Sequence, residues 1–358
     1  MRFLTLVAVL GGIAWLAPAP RSPTDADLYD RLGRDWFIRG CDELHCSRVL
    51  MPWILGLLPG ASLFKWRMAA VILEAGAALA MERWVRRLGA PARAASQVMW
   101  LTALGSGSLY TLYDPHTSDP LMHLLGPSLM LLLFNAQYGS AVLVSVAGVF
   151  AKEFAAVPLL VAGATWLQQR RWPEMRAAAI GFLLVVAVWV VWVSSLRMAF
   201  DYSFGRNPSA DVMGGGFLVY WLARLSVSTI LGAMFTTLGA LWILWPAGLM
   251  VGPRALSQVT LATLPCILVW CYVQQPDRAV WNFAFAAMPA AAVILADAAP
   301  IAGWGLVAAH GMVNLRFGAQ LEIVPRARFG LTLAVGLAVL AVSQAALKPR
   351  QRLPQGVL

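Results

Sequence analysis

Apolar blocks of roughly 17 to 25 residues recur along this sequence, separated by short turns rich in arginine, glycine and proline. Residues 177–194 are apolar almost without interruption. A helix rising 1.5 Å per residue needs about 20 such residues to cross the roughly 30 Å hydrocarbon core of a bilayer. Strands of a membrane barrel would instead alternate in polarity over about ten residues, a pattern the blocks do not follow. Across 358 residues, 60% are hydrophobic and 12% charged, and the mean hydropathy is +0.70. That is more apolar surface than a soluble core of this length takes in. The expectation is an all-α membrane protein, and a soluble fold is excluded at this stage.

The net charge of +10 comes from 27 Lys and Arg scattered over the turns. Gathered in one patch they would suggest nucleic acid as a partner; scattered, they argue against it and set orientation by the positive-inside rule. Met1 and Arg2 followed by apolar residues 3–17 resemble a secretory signal. Pro18, next to the only plausible cleavage point, favours an uncleaved anchor. Further blocks at 66–81, 94–112, 121–134, 141–151, 154–167, 177–196, one between residue 222 and the turn near Arg254, 259–273, 281–295, 301–315 and 329–346 bring the expected count to about twelve crossings. The chain reads as one transmembrane domain over 1–358, with a first outer loop at 20–65, a second polar one at 199–222 and no separate soluble domain.

Ionisable residues cluster in the loops of one side. The run Thr24-Asp25-Ala26-Asp27-Leu28-Tyr29-Asp30 places two carboxylates two residues apart just after the first block. Such groups act as general bases or as ligands for hard cations, and they also cap helices. A second loop reads Tyr113-Asp114-Pro115-His116-Thr117-Ser118-Asp119-Pro120. There Asp119 can head a helix with Pro120 at its first position, or join Asp114 and His116 around a metal ion. Lys152-Glu153 interrupts apolar sequence on both sides, which places it in a bundle interior or an aqueous cavity. Arg48 and Arg278 stand at block edges, where a guanidinium can grip a phosphate or snorkel to headgroups. Neither acidic loop carries a zinc signature, and no box for an organic cofactor is visible. Cys41 and Cys46 can close a short disulfide in an oxidising compartment, whereas Cys266 and Cys271 read as packing residues.

Taken in order, Asp25 four residues before Tyr29, Arg48-Val-Leu-Met-Pro-Trp, Asp119 heading a helix, Lys152-Glu153, and Asp277-Arg278 ahead of 285–289 resemble the GT-C class of membrane glycosyltransferases. This class includes protein O-mannosyltransferases, aminoarabinose transferases and polyprenyl-phosphate-dependent mannosyltransferases. The resemblance implies a GT-C-like helical bundle with an outward active-site cavity and interfacial helices in its first outer loop. It implies transfer of a sugar from a polyprenyl-phosphate donor to a lipid, glycan or protein acceptor, with inversion. By position, Asp25 looks like the acceptor-activating base, and Asp27 is a second candidate whose substitution for the family's adjacent acid is open. Lys152 and Arg278 look like donor-phosphate contacts, with Arg48 a further candidate, and Asp119 looks like the second acidic residue, binding a divalent cation, Mg or Mn, or orienting the acceptor; Asp114 and His116 of the same loop are the further candidate ligands. Ala26 fills a position that is acidic in some relatives. The implied location is a bacterial inner membrane, with the site facing the periplasm. The competing readings are a polytopic transporter or flippase for a lipid-linked or anionic substrate, and a polymerase or ligase of lipid-linked glycans.

Overall fold

The computed structural model describes residues 1–17, 24–203, 237–267, 280–315 and 325–346. Among them all regular structure is helical. Helix α1 (Arg2–Leu16) turns Leu6, Leu10, Ile13 and Ala14, spaced at helical intervals, toward α4 (Ser62–Arg87). The facing residues of α4 are small, Ala70, Ala75 and Ala78, so the helices approach closely. Arg2 adds an ion pair with Glu82. Helix α2 (Thr24–Asp35) and α3 (Leu50–Gly56) form a separate layer over the start of α4.

Helix α4 also packs against α5 (Ala92–Ala103), α6 (Ser106–Tyr113) and α7 (Asp119–Phe134), and α5 and α6 share the α1 core through Met99, Ala103, Leu109 and Leu112. Leu125, Leu129 and Leu133 of α7 then pack with α8 (Tyr138–Val149), α9 (Val157–Gln168) and α10 (Trp172–Phe200). The later elements are α11 (Leu241–Val251), α12 (Arg254–Ile267), α13 (Ala284–Asp297), α14 (Pro300–Asn314) and α15 (Pro325–Ala346).

Helix α13 runs through the middle of the largest core, with Ala286, Ala287, Ala290, Ala291 and Ala292 all buried. Alanine excels there because it combines high helix propensity with little bulk among several neighbouring helices. Long-range bonds from two side chains pin its ends. Trp84 Nε1 donates to the Phe285 carbonyl at 2.9 Å, and the Arg93 guanidinium donates to the carbonyls of Ala296 and Ala298 at 2.9 Å each. The latter bonds satisfy carbonyls that the end of a helix leaves without partners.

The all-helical expectation holds, but the crossings do not. Among the described residues one helix, α10, is long and apolar enough to cross a membrane, against about twelve expected. That finding overturns the GT-C-like transmembrane bundle, and with it the location as an integral multi-pass protein of a bacterial inner membrane facing the periplasm. The physical reason is that the apolar blocks are not continuous helices of sufficient length. Block 94–112 is broken at Leu104 and Gly105 into α5 and α6. The Trp281 ring lies where a Cβ on Gly105 or Gly107 would stand, so the break is filled from a distant part of the chain. Block 141–151 becomes the 12-residue α8, which spans only about 18 Å. Helices α9, α13 and α14 have 12, 14 and 15 residues. The 26-residue α4 is long enough but carries Glu74 and Glu82 among its cations. Helix α10, with 29 residues, buries a stripe of Ala178, Gly181, Val185 and Leu196 and exposes Ile180, Leu183, Leu184, Val190 and Val191.

Candidate functional site

Asp25 and Asp27 lie in the first turn of α2, where carboxylates complement the positive end of the helix dipole. One turn on, Tyr29 and Leu32 are buried and hold the helix against Met51, Leu55 and Trp66. The crossing of α2 and α3 is close enough that a Cβ on Gly33 would come 2.9 Å from the Pro52 carbonyl oxygen, and one on Gly56 would collide with the Gly33 backbone. Asp25 is half-buried and Asp27 exposed at the end of a helix that is rigidly seated.

A chain of rings runs beneath this helix. Tyr29 stacks on Trp66 at 5.4 Å and meets His45 edge-on at 6.2 Å, and Trp66 in turn contacts His116 at 5.4 Å. Ser62 Oγ donates to Asp30 Oδ1 at 2.5 Å and lies 3.1 Å from His116 Nε2. With the hydroxyl proton already given to Asp30, the second contact requires His116 to donate from Nε2, which fixes its tautomer. Burial holds the His116 imidazole below its usual range, against the opposing charges of Asp30 and Asp114.

On unfolding, His116 returns to an ordinary pKa near 6.5 and takes up a proton that the folded chain refuses. Stability is expected to fall as pH drops below about 6.5, until the folded imidazole also titrates. His116→Gln should flatten that part of the profile. Unfolding midpoints of both proteins between about pH 7.5 and 5 provide the check, and identical acid dependence would refute the assignment.

Asp119, at the head of α7, accepts a hydrogen bond from Lys152 Nζ, and both side chains are almost wholly buried. The ammonium also lies 5.0 Å from the Phe154 ring. Next along the chain, Glu153 accepts from Arg48 at 2.9 Å. The backbone N–H of Leu50 donates to the Phe150 carbonyl at 3.0 Å, tying the two segments together. Lys152 itself is extended, with φ −168°, because the chain breaks between α8 and the 3-10 turn Glu153–Ala156. Two cations and two carboxylates thus alternate at the junction of α3, α7 and α9.

The structure therefore gathers Asp119, Lys152 and Arg48 around one junction and leaves Asp25 and Asp27 on α2 nearby. Asp114, at the end of α6, accepts from the Tyr110 hydroxyl at 3.3 Å. Asp119, Asp114 and His116 do not converge as a ligand set; among the described residues the group close enough to hold a metal ion is Asp25, Glu43 and His45. Arg278 lies outside the described residues.

Glu43, His45 and Glu74 are not among the site residues expected from the sequence. Glu43 and His45 lie between Cys41 and Cys46, which are joined in a disulfide. The cysteine spacing marked the loop but not which of its side chains turn toward α2. Glu74 on α4 is completely buried; it accepts from Thr111 Oγ1 at 3.0 Å and lies 2.7 Å from His123 Nδ1. An acid inside the apolar block 66–81 was the available signal. No protein-family model, curated protein or solved structure matches the chain.

Proposed function

We propose that the chain is a glycosyltransferase, moving a sugar from a polyprenyl-phosphate-linked donor to a lipid, glycan or protein acceptor. The observation that carries this reading is the buried cluster of Arg48, Glu153, Lys152 and Asp119, whose Arg48 directly follows the 3-10 turn Leu44–Ser47 packed on α2, the helix that carries Asp25 and Asp27. Cations held by carboxylates in a low-dielectric junction are positioned in advance for a phosphate whose charge grows as it departs. In the proposed step the acceptor oxygen attacks the anomeric carbon and its proton passes to Asp25. The bond from that carbon to the phosphate oxygen breaks, and Lys152 and Arg48 stabilise the phosphate that leaves. Attack opposite the leaving group inverts the anomeric centre.

The test is transfer of radiolabelled sugar from a panel of polyprenyl-phosphate donors to membrane lipids by purified wild type and Asp25→Asn. Removal of a general base is expected to lower the rate by about 100-fold or more. Asparagine keeps the size and shape of the Asp25 side chain, so helix content and yield should stay at the wild-type level. Asp27→Asn is expected to be milder. Turnover that survives Asp25→Asn, or none with any donor, would overturn the reading.

A further inference from the structure

The segment between α2 and α3 folds back on itself. The Cys41–Cys46 disulfide closes a loop that holds Asp42, Glu43, Leu44 and His45. Backbone bonds from the Cys46 N–H to the Glu43 carbonyl at 3.2 Å, and from the Arg48 N–H to the His45 carbonyl at 3.0 Å, set the turn that displays Glu43 and His45. Tyr29 packs edge-on against the His45 ring. One oxygen from Asp25, one from Glu43 and one ring nitrogen of His45 all lie within 4.8 Å of one another. Glu43 Oε2 is already 3.9 Å from His45 Nδ1.

We propose that Asp25, Glu43 and His45 bind a divalent transition-metal ion, with zinc favoured over magnesium, at a site whose shape depends on the Cys41–Cys46 bridge. Three protein donors, two carboxylate oxygens and an imidazole nitrogen, leave a fourth tetrahedral position for water or substrate. An imidazole suits zinc, whereas magnesium prefers oxygen donors and retained waters. Zinc bonds of about 2.0–2.1 Å place neighbouring ligands roughly 3.3 Å apart, so the donors must close by up to about 1.5 Å. The exposed Glu43 side chain has the freedom to do so, while α2 is held by its crossing with α3.

The existence of this site stands without the transferase reading, whereas a role for the ion in transfer rests on it. A carboxylate that ligates through one oxygen keeps the other for a proton, and a hydroxyl bound to zinc is more acidic than a free one.

Purified full-length protein, stripped of metal by a chelator, should be titrated with zinc chloride and separately with magnesium chloride by calorimetry. One zinc per chain is expected, with magnesium at least about 100-fold weaker. Glu43→Gln, His45→Ala and the paired Cys41→Ser and Cys46→Ser exchange should each weaken zinc by about tenfold or more, whereas Asp42→Asn should not. Cobalt in place of zinc should give visible absorption bands that His45→Ala removes. Absence of saturable zinc binding by the wild type, unchanged binding when Glu43→Gln and His45→Ala are combined, or equal affinity for magnesium would overturn the proposal. Zinc bound at these residues without sugar transfer leaves the site standing and removes the transferase reading. Transfer that needs Asp25 but occurs with no zinc bound does the reverse.

Discussion

Lys152→Met is expected to destabilise the chain by about 3–5 kcal/mol, and Asp119→Leu introduced with it should restore most of the loss. The single change leaves the Asp119 carboxylate buried, 2% exposed, without the ammonium that now donates to it. Taking both charges out of the junction removes that penalty and substitutes apolar volume of similar size, which is often neutral for a buried ion pair. Denaturant midpoints of the wild type, both single variants and the pair give the coupling directly. Under the transferase reading, the paired variant should regain stability and still fail to transfer sugar, because no ammonium faces the departing phosphate. A pair that stays as unstable as Lys152→Met would sink the electrostatic account. A stable pair that transfers at the wild-type rate would leave Lys152 a purely structural residue.

Gly56→Ala is expected to cost about 1–3 kcal/mol or more, at the upper end of what overpacking usually exacts. The new methyl would meet the backbone of Gly33, not a side chain that could swing away, so α2 or α3 must move. Asp25 rides on α2, and the same substitution should weaken both zinc binding and transfer. Gly12→Ala on α1 is the matched control. Its Cβ meets nothing within 4 Å, and alanine in a helix interior gains up to about 1 kcal/mol over glycine. Thermal unfolding of the two variants decides the matter. Similar melting points would show that the α2 and α3 crossing relaxes easily and does not hold the site.

Helices themselves were legible in the sequence, because apolar periodicity and breakers are local. Asp119-Pro120 does open α7, and the cluster of arginines from Arg83 to Arg93 does surround the turn from α4 to α5. Blocks 177–196 and 301–315 correspond to α10 and α14. Continuity of the backbone through a block was not legible. Hydropathy sums over residues 94–112 without registering that Gly105 leaves room for Trp281, whose indole donates to Ser108 Oγ at 3.2 Å. One expected crossing fails at this long-range contact, and others fail because their helices are only 12–15 residues long. The site shows the same division. Carboxylates and cations in the loops were visible as residue types, but Lys152 with Asp119, Arg48 with Glu153 and Ser62 with His116 are partnerships between distant segments. Metal ligands were sought within one loop, Asp114 to Asp119, whereas the donors that converge come from α2 and the disulfide-closed turn.

The burial of α13 on all sides has a consequence for how the molecule is made. Trp84, Leu101 and Val98, on helices that leave the ribosome early, find their apolar neighbours in a segment that ends at Asp297. Domains emerging during synthesis fold as their contacts become available. The first helices must therefore wait with part of their inner faces uncovered until Asp297 has been added. During that interval α4 and α5 are candidates for a chaperone's attention, and a nascent chain arrested before Ala284 should be held in a protease-sensitive state even though every residue of the α2 layer is already present.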